Sequence, residues 1–287
     1  MGSAADNRAL AYVRDVLDAQ GRKRKQRKVV SAQGSDNTSK VDVLPTDDIL
    51  LITVDYALAP ENPFPCGLID CLSVVDYLIQ FFPSHPIHLA GESAGANLTA
   101  VVALECARKY PGRISSAYII QPMCSPATDT LSYHMNAHSS FLTGEWLRWC
   151  WRSYLSLDID TTSHSKGPSM DLCEFHRNSF LQSKWMTIGD NWQRLFAPQT
   201  ELPSKDALEM TSWVIITSKA DLLYDEGYQL AMELLSICET EAEQNKKNIT
   251  YIETNGDHVT GLLFDKEKYS HAVEAVRQHL FSDSLKC

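Results

Sequence analysis

The stretch that decides the fold is Ile87-His88-Leu89-Ala90-Gly91-Glu92-Ser93-Ala94-Gly95, which runs on into ANLTAVVALECARK at 96–109. IHLA at 87–90 is a short apolar run of strand type. Across 94–109, Leu98, Val101, Val102 and Cys106 recur at helical spacing. Between them, residues 91–95 fit G-x-S-x-G. Three fixed positions are a weak signal alone. Set between a strand and a helix, they are the context of a nucleophile elbow, a sharp turn that lifts a serine hydroxyl above the edge of a sheet. Such a turn brings its flanks close to the helix that follows, which favours glycine beside the serine.

Outward from this unit the same alternation continues. ILLITV at 49–54 is bounded by Asp48 and Asp55 and reads as a strand buried on both faces. Residues 67–82 carry Leu68, Leu72, Val75, Leu78, Ile79 and Phe82 at helical spacing. ISSAYII at 114–120, WVIIT at 213–217 and NITYIET at 248–254 are further strands, and helices are expected over 7–20, 226–240 and 266–281. Strand–helix alternation predicts an α/β fold: a mostly parallel sheet with helices on both faces. The stretch 123–211 breaks the pattern. It is rich in Ser, Thr and His and holds Trp146, Trp149, Trp151, Trp185 and Trp192. An insertion of that length between two strands is too long for an ordinary loop, so a cap or lid region within one domain spanning 1–287 is expected.

Composition bounds the rest. A chain of 287 residues carries 26 Lys and Arg against 36 Asp and Glu, a formal charge of −10. That balance gives nucleic acid no general electrostatic footprint. GRKRKQRK at 21–28 is a local exception, read as a solvated turn. No apolar run approaches the ~20 residues of a membrane span, and the charged residues Asp6, Arg8, Arg14, Asp15 and Asp18 leave no signal core. The eight cysteines lack CxxC pairs and metal-ligand spacing, so neither metal nor other cofactor is implied. They read as reduced thiols, and the localisation expected from them is cytoplasmic.

A serine hydroxyl needs a base, and the base needs an orienting carboxylate. In this architecture they follow in the order Ser, Asp or Glu, His. Asp221 falls just after the strand at 213–217, and His258 just after that at 248–254. Both positions lie at strand C-terminal ends, where ligands gather in open α/β sheets. The other eight histidines lie elsewhere: His85 and His88 precede the serine, His134, His138, His164 and His176 fall in the insertion, and His271 and His279 on the last helix. Asp225 and Glu226 compete with Asp221 but suit the first turn of a helix. Asp257 neighbours His258 in sequence, in an extended turn that would point it away.

VDYALAPENPFPCGLIDCL at 54–72, GESAGANLTA at 91–100, SKADLLYDEG at 218–227 and NGDHVTGLLF at 255–264 together resemble the hormone-sensitive-lipase-like branch of the α/β-hydrolases, which includes arylacetamide deacetylases and plant carboxylesterases. Residues 55–64 are close to that branch's YRLAPE signature, with Ala57 in place of arginine. The resemblance covers roughly residues 50–282. It implies Ser93 as nucleophile, Asp221 as acid, His258 as base and a small-molecule ester as substrate.

The branch also carries HGGG upstream of its elbow, whose N–H groups share the oxyanion with the residue after the serine. This sequence has no histidine before His85 and no two adjacent glycines. The resemblance therefore implies an N-terminal region shortened by several tens of residues. KVVSA at 28–32 is the candidate for the vacated central strand, with residues 33–48 as its crossover and Gly34 at the HGGG position. The oxyanion donors expected are the N–H groups of Ala94 and, more weakly, Gly34. The function expected is that of a serine carboxylesterase for small or medium acyl esters, slowed by the missing glycines. The alternative is a degenerate or truncated hydrolase-fold protein that binds a ligand, as the plant gibberellin receptors do. Acyl specificity and oligomeric state have no signature here.

Overall fold

The computed structural model describes residues 30–31, 40–45, 50–138, 142–156, 202–238 and 248–258. The helices expected over 7–20 and 266–281, the basic run 21–28 and Gly34 lie outside these. Described residues up to His85, together with Tyr154–Ser156, form one compact unit, and the others from Pro86 onward form a second.

The first unit has three strands, β1 (Val30–Ser31), β2 (Lys40–Pro45) and β3 (Leu50–Asp55), in the order β1-β2-β3, with both pairings antiparallel. Two sequence expectations fail here. Residues 28–32 do not supply a parallel central strand, because Val30 and Ser31 pair with Val43 and Asp42 of β2. Residues 33–48 are not a crossover, because KVDVLP within them is β2. Only four residues separate Pro45 from Leu50, so closing this antiparallel pair costs less chain entropy than a crossover would. β3 is also not buried on both faces. Its residues alternate, Leu51 being 49% exposed and Ile52 half-buried, as in an antiparallel strand with one wet side.

Helix α1 (Cys66–Phe81) follows, its inner side made of Leu68, Val74, Val75 and Tyr77. The loop before it is tied down twice. Asp70 accepts the Ala57 N–H at 2.9 Å, and Phe64 N–H donates to the Tyr154 carbonyl at 2.7 Å. A β-carbon at Gly67 would stand 2.9 Å from the Ala57 carbonyl oxygen, so α1 packs at that point only through a glycine.

The second unit is a four-stranded parallel sheet in the order β4 (Ile87–Glu92), β5 (Ile114–Ile120), β6 (Ser212–Ser218), β7 (Ile249–Thr254). Helix α2 (Ala94–Lys109) packs on β4 and β5, and helix α6 (Tyr224–Cys238) on β6 and β7. Between β5 and β6 lie the short helices α3 (Leu131–Met135) and α5 (Lys205–Glu209), with the longer α4 (Gly144–Tyr154) between them.

The two-residue period of the strands sorts the core. Ala117, Ile119, Trp213 and Ile215 pack with Ala96, Ala100 and Leu104 of α2 and with Leu230 and Leu234 of α6. Tyr118, Val214 and Ile216 form a separate cluster with Ile120 and Ile252. Successive residues point to opposite faces, so β5 and β6 are buried on both. This explains their unbroken apolar runs. Trp213, fully buried, satisfies its indole by donating to the Leu208 carbonyl at 3.0 Å. Among the described residues no helix is long and apolar enough to cross a membrane.

Candidate active site

Ser93 sits between β4 and α2, in the N-cap position of the helix. A serine there commonly caps with its hydroxyl. Here it makes no side-chain cap, because its backbone adopts φ 57° and ψ −120°. Such a conformation is costly for a non-glycine residue and persists only where neighbours enforce it. Ser93 N–H donates to the Ile120 carbonyl at 3.0 Å, and the Ser93 carbonyl accepts from Ala96 at 3.1 Å, Asn97 at 3.2 Å and Met123 at 3.3 Å. Both backbone groups are thus committed, and Oγ is turned away from the helix.

The two glycines of the motif differ in their reasons. A β-carbon at Gly91 would collide with the Gly95 carbonyl and the Thr99 hydroxyl, whereas one at Gly95 would meet nothing within 4 Å. The crowding expected from the sequence holds on the strand side only.

Asp221 lies in the turn after β6 and is 1% exposed. Its Oδ1 accepts the N–H of Leu223 at 3.1 Å. His258 follows β7, is 4% exposed, and its Nδ1–H donates to Asp221 Oδ2 at 2.8 Å. A carboxylate only accepts, so Nδ1 carries the proton and Nε2 keeps a lone pair. That lone pair faces Ser93, whose hydroxyl lies 3.0 Å from Nε2. The loops bearing the two groups are stitched together: Lys219 N–H donates to the Thr254 carbonyl at 2.9 Å and Ala220 N–H to the Gly256 carbonyl at 3.2 Å. Ala94 opens α2, where the first N–H groups have no intrahelical acceptor.

The competing acids have other partners. Asp225 Oδ2 accepts the N–H of Ser132 at 2.6 Å. Asp257 offers its carbonyl to Gln121 at 3.1 Å. Glu226 is fully buried, and Oε2 accepts the N–H groups of Cys124 at 2.6 Å and Ser125 at 2.7 Å while Oε1 accepts the Tyr133 hydroxyl at 2.9 Å. Burial pushes its carboxyl up to about 8, against the pull of those donors. Both residues do stand in the first turn of α6. Their grip on the segment after β5 had no signal in the sequence beyond the adjacency of two acids.

That segment clasps the acid turn along its length. Ser132 Oγ donates to the Leu222 carbonyl at 2.5 Å, and Asn136 Nδ2 donates to the carbonyls of Asp221 at 2.8 Å and Lys219 at 3.0 Å. Sequence reading missed these residues because side chains that act on backbone carbonyls carry no motif. Among the described residues no cluster of three or more His, Cys, Asp or Glu could hold a metal ion.

A serine on an elbow after one parallel strand, an aspartate after a second and a histidine after a third is the arrangement of the α/β-hydrolase class. The family described as the alpha/beta hydrolase fold matches residues 45–252, and the chain belongs to it. Human (Homo sapiens) hormone-sensitive lipase is 39% identical over 88 residues, 27% of this chain and 8% of that protein. An esterase of Fusarium pseudograminearum is 24% identical over 184 residues, 62% of this chain and 48% of that one. The putative alpha/beta hydrolase R526 of Acanthamoeba polyphaga mimivirus is 27% identical over 115 residues, 37% of this chain and 32% of that one. The chain thus spans less than half the length of these relatives. Among solved structures, a thermostable esterase from Pseudomonas putida superposes with TM-score 0.62 at 18% identity, covering 97% of this chain and 90% of that one. The hyperthermophilic esterase of Pyrobaculum calidifontis does so with TM-score 0.60 at 16% identity, covering 96% and 91%.

Proposed function

We propose that the protein is a serine carboxylesterase acting on small-molecule esters of short or medium acyl chain. The observation that carries this reading is the relay Ser93 Oγ, His258 Nε2, His258 Nδ1, Asp221 Oδ2, with steps of 3.0 and 2.8 Å. The names of the esterase relatives add to it.

In this reading Ser93 Oγ attacks the ester carbonyl carbon as Nε2 takes its proton. Asp221 holds the imidazole in the required tautomer and stabilises the imidazolium. The tetrahedral oxyanion is held by the Ala94 N–H, and collapse expels the alcohol, protonated by the imidazolium. Water, deprotonated by the same imidazole, then releases the acid from the acyl-serine. The arrangement that put Gly34 at the HGGG position falls with the central-strand reading of residues 28–32, so the Ala94 N–H is the one donor assigned. Absence of one donor lowers the rate by about 10²–10³, so turnover is slow. The reaction calls for no cofactor. The proposal extends to the insertion over 123–211, read as a cap whose Trp-rich stretch would give the acyl pocket an apolar wall. Cys66, Cys71, Cys106, Cys124, Cys150 and Cys238 are free thiols, which fits a reducing, cytoplasmic setting.

A short-chain p-nitrophenyl ester assay on the purified protein and its Ser93→Ala variant tests the reading. Weak hydrolysis that disappears in the variant is expected, with labelling of Ser93 by a fluorophosphonate. A folded protein that neither hydrolyses nor labels would instead be a binding protein on a hydrolase fold.

A further inference from the structure

Gln121 is the first residue after β5 and is 1% exposed. It holds a left-handed φ of 47°. A buried, branchless but non-glycine residue stays in that region only when its surroundings compel it. The compulsion here comes from both its main chain and its side chain. Gln121 N–H donates to the Ile216 carbonyl at 2.7 Å. Its Nε2 donates to Ser218 Oγ at 2.5 Å and to the Asp257 carbonyl at 3.1 Å. A carbonyl can only accept, which fixes the nitrogen of the amide on that side. The amide oxygen finds no partner among the described residues. The structure tolerates that buried, unmatched acceptor while keeping the nitrogen in place.

Proton directions then follow across the sheet. Ser218 receives the amide proton and passes its own to Thr254 Oγ1 at 2.6 Å, and Thr254 donates to the Thr217 carbonyl at 3.2 Å. The chain links the ends of β5, β6 and β7. It also touches two members of the relay through their immediate neighbours. Ile120, the residue before Gln121, accepts the N–H of Ser93 at 3.0 Å. Asp257, whose carbonyl Gln121 holds, is the residue before His258.

We infer that Gln121 is a positioning residue that sets His258 in register with Ser93, acting through the Asp257 carbonyl. The inference rests on the triad assignment made under Proposed function. Gln121 touches none of the three side chains, so its effect is one of placement. Misplacing a reacting group by about 1 Å can cost about 10²-fold in rate.

Two substitutions test it. Gln121→Met keeps length and burial but removes the donor. Gln121→Gly removes the side chain and adopts φ 47° without strain, so it carries the test if the methionine variant does not fold. Circular dichroism establishes folding. Three readouts follow: the rate of Ser93 labelling by a fluorophosphonate, kcat and KM for a p-nitrophenyl ester, and the low-field NMR resonance of the His258 Nδ1 proton. Expected are labelling and kcat lowered about 10–100-fold with KM little changed, and a displaced or broadened low-field resonance. A merely structural residue would lower stability and leave the kcat-to-KM division and the resonance alone. Folded variants that label, turn over and resonate as the parent does would overturn the inference. The resonance needs no substrate. If the parent neither labels nor hydrolyses, the esterase reading falls, and the resonance in the variants still decides the role of Gln121: displaced, it stands; unchanged, it fails.

Discussion

The carboxylate of Glu226 holds the main chain of Cys124 at 2.6 Å across 102 positions of sequence. The neighbouring Ser125 N–H shares the same oxygen at 2.7 Å. One residue before this pair, Met123 N–H reaches the Ser93 carbonyl at 3.3 Å. A single buried side chain at the start of α6 therefore braces the segment that abuts the elbow.

Glu226→Gln is expected to lower stability, because an amide nitrogen replaces one of two oxygens that now accept, Oε2 from the Cys124 and Ser125 N–H groups and Oε1 from the Tyr133 hydroxyl. The loss is about 1–3 kcal/mol. Its pH dependence has a definite sign. The folded-state carboxyl is raised from 4.5 to about 8, so its contribution is full below the unfolded value and is lost as pH rises through the folded one. Between those values it tilts stability downward by at most about 1.4 kcal/mol per pH unit. Urea unfolding of parent and variant from about pH 5 to about pH 8 should show the gap largest at the acid end and narrowing upward. A constant gap would refute the argument.

Asp221→Asn keeps an acceptor for the Leu223 N–H now made at 3.1 Å, so the turn should survive. What changes is the imidazole. An amide donor can face Nδ1 and leave the proton on Nε2, the wrong tautomer for taking a proton from Ser93. A fall in kcat of about 10³–10⁴-fold with an unaltered circular dichroism spectrum is expected. Loss of activity only through unfolding would contradict it.

The two motif glycines give an internal control. Gly91→Ala would press a methyl against the Gly95 carbonyl, and backbone cannot rotate aside as a side chain can. A cost of about 1–3 kcal/mol or more is expected. Gly95→Ala meets nothing within 4 Å and lies within α2, where alanine is favoured over glycine by up to about 1 kcal/mol. Thermal melts should move in opposite directions, and equal losses would remove the steric account.

Trp213 offers a test of the core. Truncation to alanine in a fully buried site between α2 and α6 should cost about 3–5 kcal/mol. Trp213→Phe fills most of the volume and loses the 3.0 Å bond to the Leu208 carbonyl, which keeps the Thr211 N–H at 3.2 Å, for about 0.5–1.5 kcal/mol. Chemical denaturation of both variants orders them, and an equal or reversed order would show that volume is not the dominant quantity.

The parallel half of the fold was legible because burial on two faces writes itself into composition. ISSAYII at 114–120 is β5 to the residue, and WVIIT lies inside β6. The serine, aspartate and histidine were legible because each falls in the turn after a strand, Ser93 after Glu92, Asp221 after Ser218 and His258 after Thr254. β2 was harder. Lys40 and Asp42 alternate with Val41 and Val43, and that period-two pattern among acidic neighbours reads as a polar loop unless the alternation is weighed by itself. Without β2, residues 28–32 have no antiparallel partner to find and read as a central strand, whereas Val30 and Ser31 pair with Val43 and Asp42. Gln121 and Glu226 lay beyond sequence reading altogether. Their partners are main-chain atoms 136 and 102 positions away, and main-chain atoms leave no trace in residue identity.

The separation of Ser93 from His258, 165 positions along the chain, has a consequence for timing during synthesis. At ribosomal speeds of about 5–20 residues per second, the serine precedes the histidine out of the ribosome by roughly 10–30 s. β4, α2 and β5 are contiguous in sequence and can dock early, so the strained elbow can form while its base is still untranslated. The nascent chain then carries a shaped but unarmed hydroxyl. Arming waits for β7 to pair with β6, the step that delivers Gly256 to the Ala220 N–H and His258 to Asp221 together.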